Sequence, residues 1–361
     1  MGRSGNPPSS VFLLRVSHKF PLVSNNFDYC SRRVFVLKWL YLKANFGVRY
    51  LGFMSLAINT VTPEGIVLAA DSRQSYRNQK GISRVGSDSA SKIFLVNDRI
   101  GVAITGLAFL QENGISKNVS KFIEQFKREV EVKDLSVKEV AEKLHYIFDK
   151  KLDWEKQLEK IPEKIKSDLQ SQGLDVIEVV KEQCGVKFKF KDKTGVVREG
   201  AGGIDGIVMF VAGYNTDGSH EVHNLYIPGK IIKRRDSTKR GEEYGANWIG
   251  QTDVVTRIVK GWDPRIFNLG FISEAVKQKT QPELEKQLNG LEYAINWGAM
   301  TLQDAIDFTV LVIETTSAIQ RFSDGIQLDP GDIPGVGGPV DVLDLTSYGA
   351  KWVEKKELKN Q

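Results

Sequence analysis

The stretch Met54-Ser-Leu-Ala-Ile-Asn-Thr-Val-Thr-Pro-Glu-Gly-Ile-Val-Leu-Ala-Ala-Asp-Ser-Arg73, followed after a polar segment by Lys92-Ile-Phe-Leu-Val-Asn-Asp-Arg-Ile-Gly-Val-Ala-Ile-Thr-Gly106, decides the fold. Each part reads as a β-hairpin. In the first, Thr62-Pro63-Glu64-Gly65 suits a tight turn, with proline fixing φ at the second position and glycine closing it. In the second, Asn97-Asp98-Arg99 separates Ile93–Val96 from Ile100–Ile104. The run Ile66–Ala70 is apolar at every position, as in a strand covered on both faces, yet it leads directly into Asp71 and Arg73. A carboxylate at the end of a core strand requires a cationic partner, and Arg73, Lys92 or an amine can supply it.

The first hairpin with Gly65–Arg73, the Lys92-Ile93 pair and Gly106 resemble the β-type subunits of the proteasome family of N-terminal-nucleophile hydrolases. By the family's spacing, Ser55 falls where the family carries its nucleophilic N-terminal threonine. Lys92 falls on the catalytic lysine after a loop about five residues longer than the family's. Gly106 falls on the oxyanion glycine, expected to open a helix. The resemblance covers roughly Ser55 to Val353. It implies further site residues: Gln251 or Thr252 in place of a supporting serine, Gln320 in place of a second aspartate, and its partner serine at Ser323. Arg73, Gln251 and Gln320 are the candidates for substrate binding. Ser55, Asp71, Lys92, Gly106 and Ser323 are the candidates for catalysis.

The chemistry explains the residue types. A serine hydroxyl is a weak nucleophile at neutral pH unless a base takes its proton, and a free α-amine with a pKa near ~7.7–8 can do so. Only an N-terminal serine carries both groups on one residue. A nearby ammonium disfavours protonation of that amine, and an aspartate holds the lysine in place. A backbone N–H at a helix start receives the oxyanion of a tetrahedral intermediate. Read without the resemblance, Ser55 is a plain strand serine, Asp71 and Lys92 a buried ion pair, and Gly106 a turn glycine; the joint spacing favours the chemical reading.

With 361 residues and 41% hydrophobic side chains, the chain suffices for one large domain or two small ones. Residues 1–53 hold eight basic residues against the single acid Asp28 and carry +7, so of the net charge of +5 the remainder contributes −2. A near-neutral body gives no reason to expect nucleic-acid binding. The two cysteines, Cys30 and Cys184, make neither a disulfide framework nor a zinc site, and the four histidines form no ligand cluster. That pattern implies no metal or cofactor and is consistent with a reducing cytoplasm. The longest apolar run of residues 1–53, Val34 to Leu42, is short for a membrane span and interrupted by Lys38, and no small-residue cleavage site follows it. Residues 1–54 are therefore read as an extension: a misplaced start, favoured because Met54 directly precedes Ser55, a propeptide or a targeting segment.

Downstream, Ile115, Val119, Phe122, Ile123, Phe126 and Val130 recur at helical spacing, and Ser136-x-x-Glu139 caps a second helix. The charged stretch of about 155–203 is an insertion with a helix over Leu158–Leu169 and a strand over Val186–Phe190. Gly206–Gly213 is a core strand paired with Leu225–Gly229, and a helix starts at Thr301 with Asp304 at the capping-box position. Hairpins alternating with helix pairs predict an α+β, four-layer αββα sandwich over residues 55–361, with two mainly antiparallel sheets flanked by helices. The resemblance implies a peptidase acting on peptide or protein substrates through an acyl-enzyme, a homo-oligomeric ring and an unfoldase partner. A catalytically silent ring subunit or a small-molecule amidase are the alternatives.

Overall fold

A computed structural model describes residues 55–77, 83–269, 272, 280–326, 329–330 and 334–357. The readings of residues 1–54 lie outside the described residues. Within them the chain is mixed α and β, with six α-helices and several sheets, and every strand pairing recorded is antiparallel.

In chain order the first strands are β1 (Leu56–Thr62), β2 (Gly65–Ala70), β3 (Gln74–Arg77), β4 (Ser83–Ser87), β5 (Ile93–Leu95), β6 (Ile100–Gly106), β7 (Phe109–Glu112) and β8 (Ile115–Asn118). Helices α1 (Val119–Glu129), α2 (Val137–Leu152) and α3 (Trp154–Ser171) follow, then β9 (Asp175–Glu182), β10 (Gly185–Lys191), β11 (Val197–Gly202), β12 (Ile207–Tyr214), β13 (His220–Ile227), β14 (Ile231–Asp236) and β15 (Gly245–Gly250). The remainder comprises α4 (Asp253–Lys260), α5 (Gln281–Leu288), α6 (Leu302–Phe322), β16 (Gly325–Ile326), β17 (Asp329–Pro330), β18 (Asp341–Thr346) and β19 (Gly349–Glu354).

Two five-stranded sheets organise these elements, one in the order β15-β1-β2-β18-β19 and the other β14-β13-β12-β6-β5. The two quoted hairpins thus belong to different sheets, β1–β2 to the first and β5–β6 to the second. Because side chains alternate across a strand, each sheet contributes to two cores. Ala57, Val61, Ile66 and Leu68 of the first sheet pack with Ala103, Val208, Phe210 and Ala212 of the second. On the other face of the first sheet, Ile58, Val67, Ala69 and Val342 meet Val255 and Val259 of α4 and Ala305, Val312 and Ile313 of α6. On the other face of the second, Val102, Ile104, Met209 and Val211 meet Phe122 and Phe126 of α1 and Leu144 and Phe148 of α2. Coverage on both sides explains why Leu56–Thr62 and Gly65–Ala70 are buried throughout.

The capping signals act where expected. The Ser136 and Thr301 side chains accept from the backbone N–H of Glu139 and Asp304, and those carboxylates return the bond to the cap N–H. Residues 154–202 form a separate small core, in which Leu158, Ile165 and Leu169 of α3 pack on Val186, Phe188 and Phe190 of β10. Cys184 lies in the turn between β9 and β10. Among the described residues, no helix is long and apolar enough to cross a membrane.

One local expectation is overturned. Ile115 is not helical but lies in β8, where it is 61% exposed. The reason is Asn113-Gly114, both at positive φ (54° and 77°), which forms the two-residue turn of a β7–β8 hairpin.

Candidate active site

Asp71 follows directly on β2 and is only 1% exposed. Its Oδ1 accepts from Leu56 N at 2.9 Å and from Lys92 Nζ at 2.7 Å, and its Oδ2 accepts from Arg73 N at 3.1 Å and Gly337 N at 3.0 Å. Four donors, three of them backbone, satisfy the buried carboxylate. The carboxylate thereby ties together β1, the residue before β3, the residue before β5 and the loop leading to β18.

Lys92 stands just before β5 and is 8% exposed. Its carbonyl receives Ile104 N at 2.9 Å, so the residue is fixed by the ladder of the second sheet while its ammonium reaches the first. Burial pulls its pKa below the ordinary lysine value; Asp71 opposes that shift, and the cations Lys356 and Arg73 reinforce it.

Ser55 precedes β1 and is 6% exposed. Its carbonyl accepts from Gln251 N at 2.7 Å, and Leu56 N is held by Asp71. Gly250 has φ +96°, and a Cβ there would lie 2.0 Å from the Ser55 carbonyl oxygen. Only glycine allows β15 to approach the end of β1 so closely.

Gly106 ends β6 at φ +101°, and a Cβ on it would fall 2.3 Å from Gly206 O. Leu107 N donates to Gly206 O at 3.0 Å toward β12, and antiparallel alternation then directs Gly106 N to the opposite side. That is the side on which Ile104 N reaches Lys92 O. The expectation that Gly106 opens a helix is corrected: the β7–β8 hairpin intervenes and α1 begins at Val119. The helix terminus nevertheless reaches the same place, because Asn118, its cap, and Ser120 line the pocket described next.

Ser55, Arg73, Lys92 and Gly106 line one pocket of about 60 Å³. Asp71 stands behind Lys92. Arg73 is committed elsewhere, its Nε and Nη2 donating to Asp88 at 2.6 and 2.9 Å and its Nη1 to Pro334 O at 3.4 Å. Gln251 and Gln320 do not line the pocket. Gln320 Nε2 donates to Gln251 Oε1 at 2.6 Å, while Gln320 Oε1 accepts from Gly335 N and Val336 N, both at 2.9 Å. The two amides form a brace from the loop before β18 to the residue that holds the Ser55 carbonyl. Ser323, exposed at the C-cap of α6, is likewise not among the pocket residues. Counting along an unbroken helix carried it beyond the end of α6, where the backbone has turned extended.

Gln74, Asn118 and Ser120 complete the polar wall and were not foreseen. Asn118 Nδ2 donates to Gln74 Oε1 at 3.0 Å, and Asn118 Oδ1 caps α1 by accepting from Ser120 N at 2.9 Å. The Asn113-Gly114 turn was the signal available, since a hairpin there returns Asn118 to the residues near Gly106. Among the described residues no group of three or more His, Cys, Asp or Glu side chains is placed to hold a metal ion. No protein-family model and no curated protein matches the chain.

Proposed function

We propose that the chain is a proteasome-like N-terminal-nucleophile amide hydrolase, a peptidase whose working polypeptide begins at Ser55, built as a four-layer αββα sandwich. The observation that carries this reading is the meeting of Ser55, Lys92 and Gly106 around one pocket, with Asp71 bonded to Lys92 at 2.7 Å behind it. Three helix-against-sheet or sheet-against-sheet cores in succession support the layered architecture.

In this reading the free α-amine of Ser55 takes the proton of its own hydroxyl as Oγ attacks the substrate carbonyl. Lys92, held by Asp71 at 2.7 Å, sets its ammonium beside the alkoxide that develops. Gly106 N–H receives the oxyanion. Collapse breaks the C–N bond, the proton moves from the α-amine to the leaving amine, and an ester on Ser55 remains. Water then attacks the ester with the α-amine again as base, releasing the carboxylic acid and restoring the serine hydroxyl.

A catalytically silent ring subunit of the same fold is the second reading. It is favoured by the neutral amides Gln251 and Gln320 at positions where the resemblance implies a serine and an aspartate. Turnover of short peptide amides and of acylated small molecules, compared between a chain beginning at Ser55 and its Ser55→Ala variant, separates the readings. Ser55-dependent cleavage of the peptide amides is expected, and cleavage confined to small acylated amines would make the protein an amidase. Absence of Ser55-dependent turnover on both classes would leave the silent subunit. The same resemblance proposes a homo-oligomeric ring in the cytoplasm, served by an unfoldase; a monomeric mass by light scattering at micromolar concentration would oppose the ring.

A further inference from the structure

A second buried ion pair stands beside the one that holds Lys92. Asp341 opens β18 and lies directly opposite Ala70, the residue before Asp71, in the β2–β18 ladder. Opposed residues share a face of the sheet, and Ala70 belongs to the core between the two sheets, so the Asp341 carboxylate enters that same space. Asp341 Oδ1 accepts from Lys356 N at 2.9 Å, and Oδ2 accepts from Lys356 Nζ. Both side chains are buried, that of Lys356 7% exposed and that of Asp341 4%. Two aspartates and two lysines therefore meet at the end of β2.

Stability alone does not account for the second pair. A buried ion pair is commonly matched or bettered by apolar side chains of similar volume, and β18 goes on to place Leu343 and Leu345 in the same core. What distinguishes the place is its neighbour. An ammonium has three donors, and Lys92 Nζ directs one of them to Asp71 Oδ1 at 2.7 Å. A carboxylate at Asp341 without its lysine would compete for that ammonium.

Granted the proposal that the α-amine of Ser55 is the base, we infer that Lys356 is a positioning residue for the site: by holding Asp341 it leaves Lys92 to Asp71 and to the pocket. The charged groups that face Lys92 are Asp71 after β2, Arg73 before β3, Asp88 after β4 and Lys356 after β19, with Asp341 of β18 bonded to Lys356. Arg73 and Asp88 offset each other at 2.6 Å. Asp341 stands two strands from β1, so a charge left unpaired there lies about 10 Å from Ser55 at ~4.7–4.9 Å per strand. At that range it moves the titration of the amine by about 0.5–1 unit. An unpaired anion favours the protonated amine, and an unpaired cation opposes it.

The test uses the chain beginning at Ser55, which is the functional form under that proposal, with Lys356→Gln, Asp341→Asn and the double variant. Gln keeps a donor for Asp341, and Asn keeps an acceptor for the N–H of residue 356, so each change removes charge with little change of shape. Thermal melts show which variants fold, and the pH dependence of kcat/KM on one peptidyl aminocoumarin amide is the readout. The base works unprotonated, so the acid limb reports its titration in the free enzyme. Lys356→Gln should move this limb to higher pH by about 0.5–1 unit, and Asp341→Asn should move it to lower pH by a similar amount. The double variant should return it to within about 0.2 unit of the parent chain. A limb unmoved by both single variants, or moved in the same direction by both, overturns the inference and reduces the pair to a clasp on the residues after β19. A double variant displaced as far as Lys356→Gln also overturns it. If one single variant does not fold, the sign of the other decides. Ser55-dependent turnover with an unmoved limb rejects Lys356 alone, whereas no Ser55-dependent turnover in the parent chain rejects the base and the role of Lys356 together.

Discussion

Replacing Gly250 by alanine probes the register that places Ser55. The backbone at Gly250 has φ +96°, which costs an L-residue about 1–3 kcal/mol if it is retained. The new Cβ would stand 2.0 Å from the Ser55 carbonyl oxygen and 2.9 Å from its carbon, against the 3.0 Å below which real Cβ contacts essentially do not occur. The end of β1 must therefore retreat by about 1 Å, and a displacement of that size at a reacting group costs about 100-fold in rate, or about 2.7 kcal/mol of barrier. Hydrolysis of a leucyl peptide amide and a thermal melt, run on the same preparation, read the two effects separately. Gly218→Ala is the control, because φ there is +85° but nothing lies within 4 Å of the new Cβ. It should lose stability of the same order and retain the rate. Gly250→Ala with the rate of the parent protein would refute the claim that β15 positions Ser55 for chemistry.

Lys92→Ala removes one member of a buried pair and should cost about 3–5 kcal/mol of stability as well as the activity, read by urea unfolding and turnover; Arg73 offers no rescue, since its guanidinium is bound to Asp88. Undiminished stability would mean that Asp71 finds another cation, and undiminished activity that the site works by other chemistry. Gln320→Glu keeps the acceptor for Gly335 N and Val336 N but sets an oxygen against Gln251 Oε1, now 2.6 Å from Gln320 Nε2. A loss of about 1–3 kcal/mol is expected from urea midpoints, and an unchanged midpoint would show that the brace is slack. Burial holds the His223 pKa below its ordinary 6.5 against the opposing pull of Glu221, so the ring is neutral in the fold and takes up a proton more readily when unfolded. Stability is then full above 6.5 and is lost as pH falls below it. The melting temperature should drop between about pH 7 and pH 5 and do so less in His223→Gln; an identical pH slope in both proteins would exclude His223 as the source.

Much of the fold was legible because the signals were local and strong. The turn at Pro63-Glu64, the cap boxes at Ser136 and Thr301 and the uninterrupted apolar run Ile66–Ala70 each dictate structure within a few residues. What the run could not disclose was that β1–β2 and β5–β6 enter different sheets, since pairing through β12 and β18 is set by residues more than a hundred positions away. The core of the candidate site was legible for the same reason as the hairpins: Ser55, Asp71, Lys92 and Gly106 all sit at strand ends whose positions the apolar pattern fixes. Ser323, Gln251 and Gln320 were placed by counting along or beyond α6 and β15. Counting carries no information about where a helix stops or which way an amide turns. The helix assigned through Ile115 failed because periodicity outweighed Asn113-Gly114, although a two-residue loop with both residues at positive φ is the stronger local constraint.

The central claim is that Ser55 supplies both the hydroxyl and the amine. Intact mass and amino-terminal sequencing of protein expressed from its native gene test it most directly. The functional chain is expected to have Ser55 as its first residue; a functional chain that retains Met54 in peptide linkage, and therefore has no α-amine on Ser55, would contradict this.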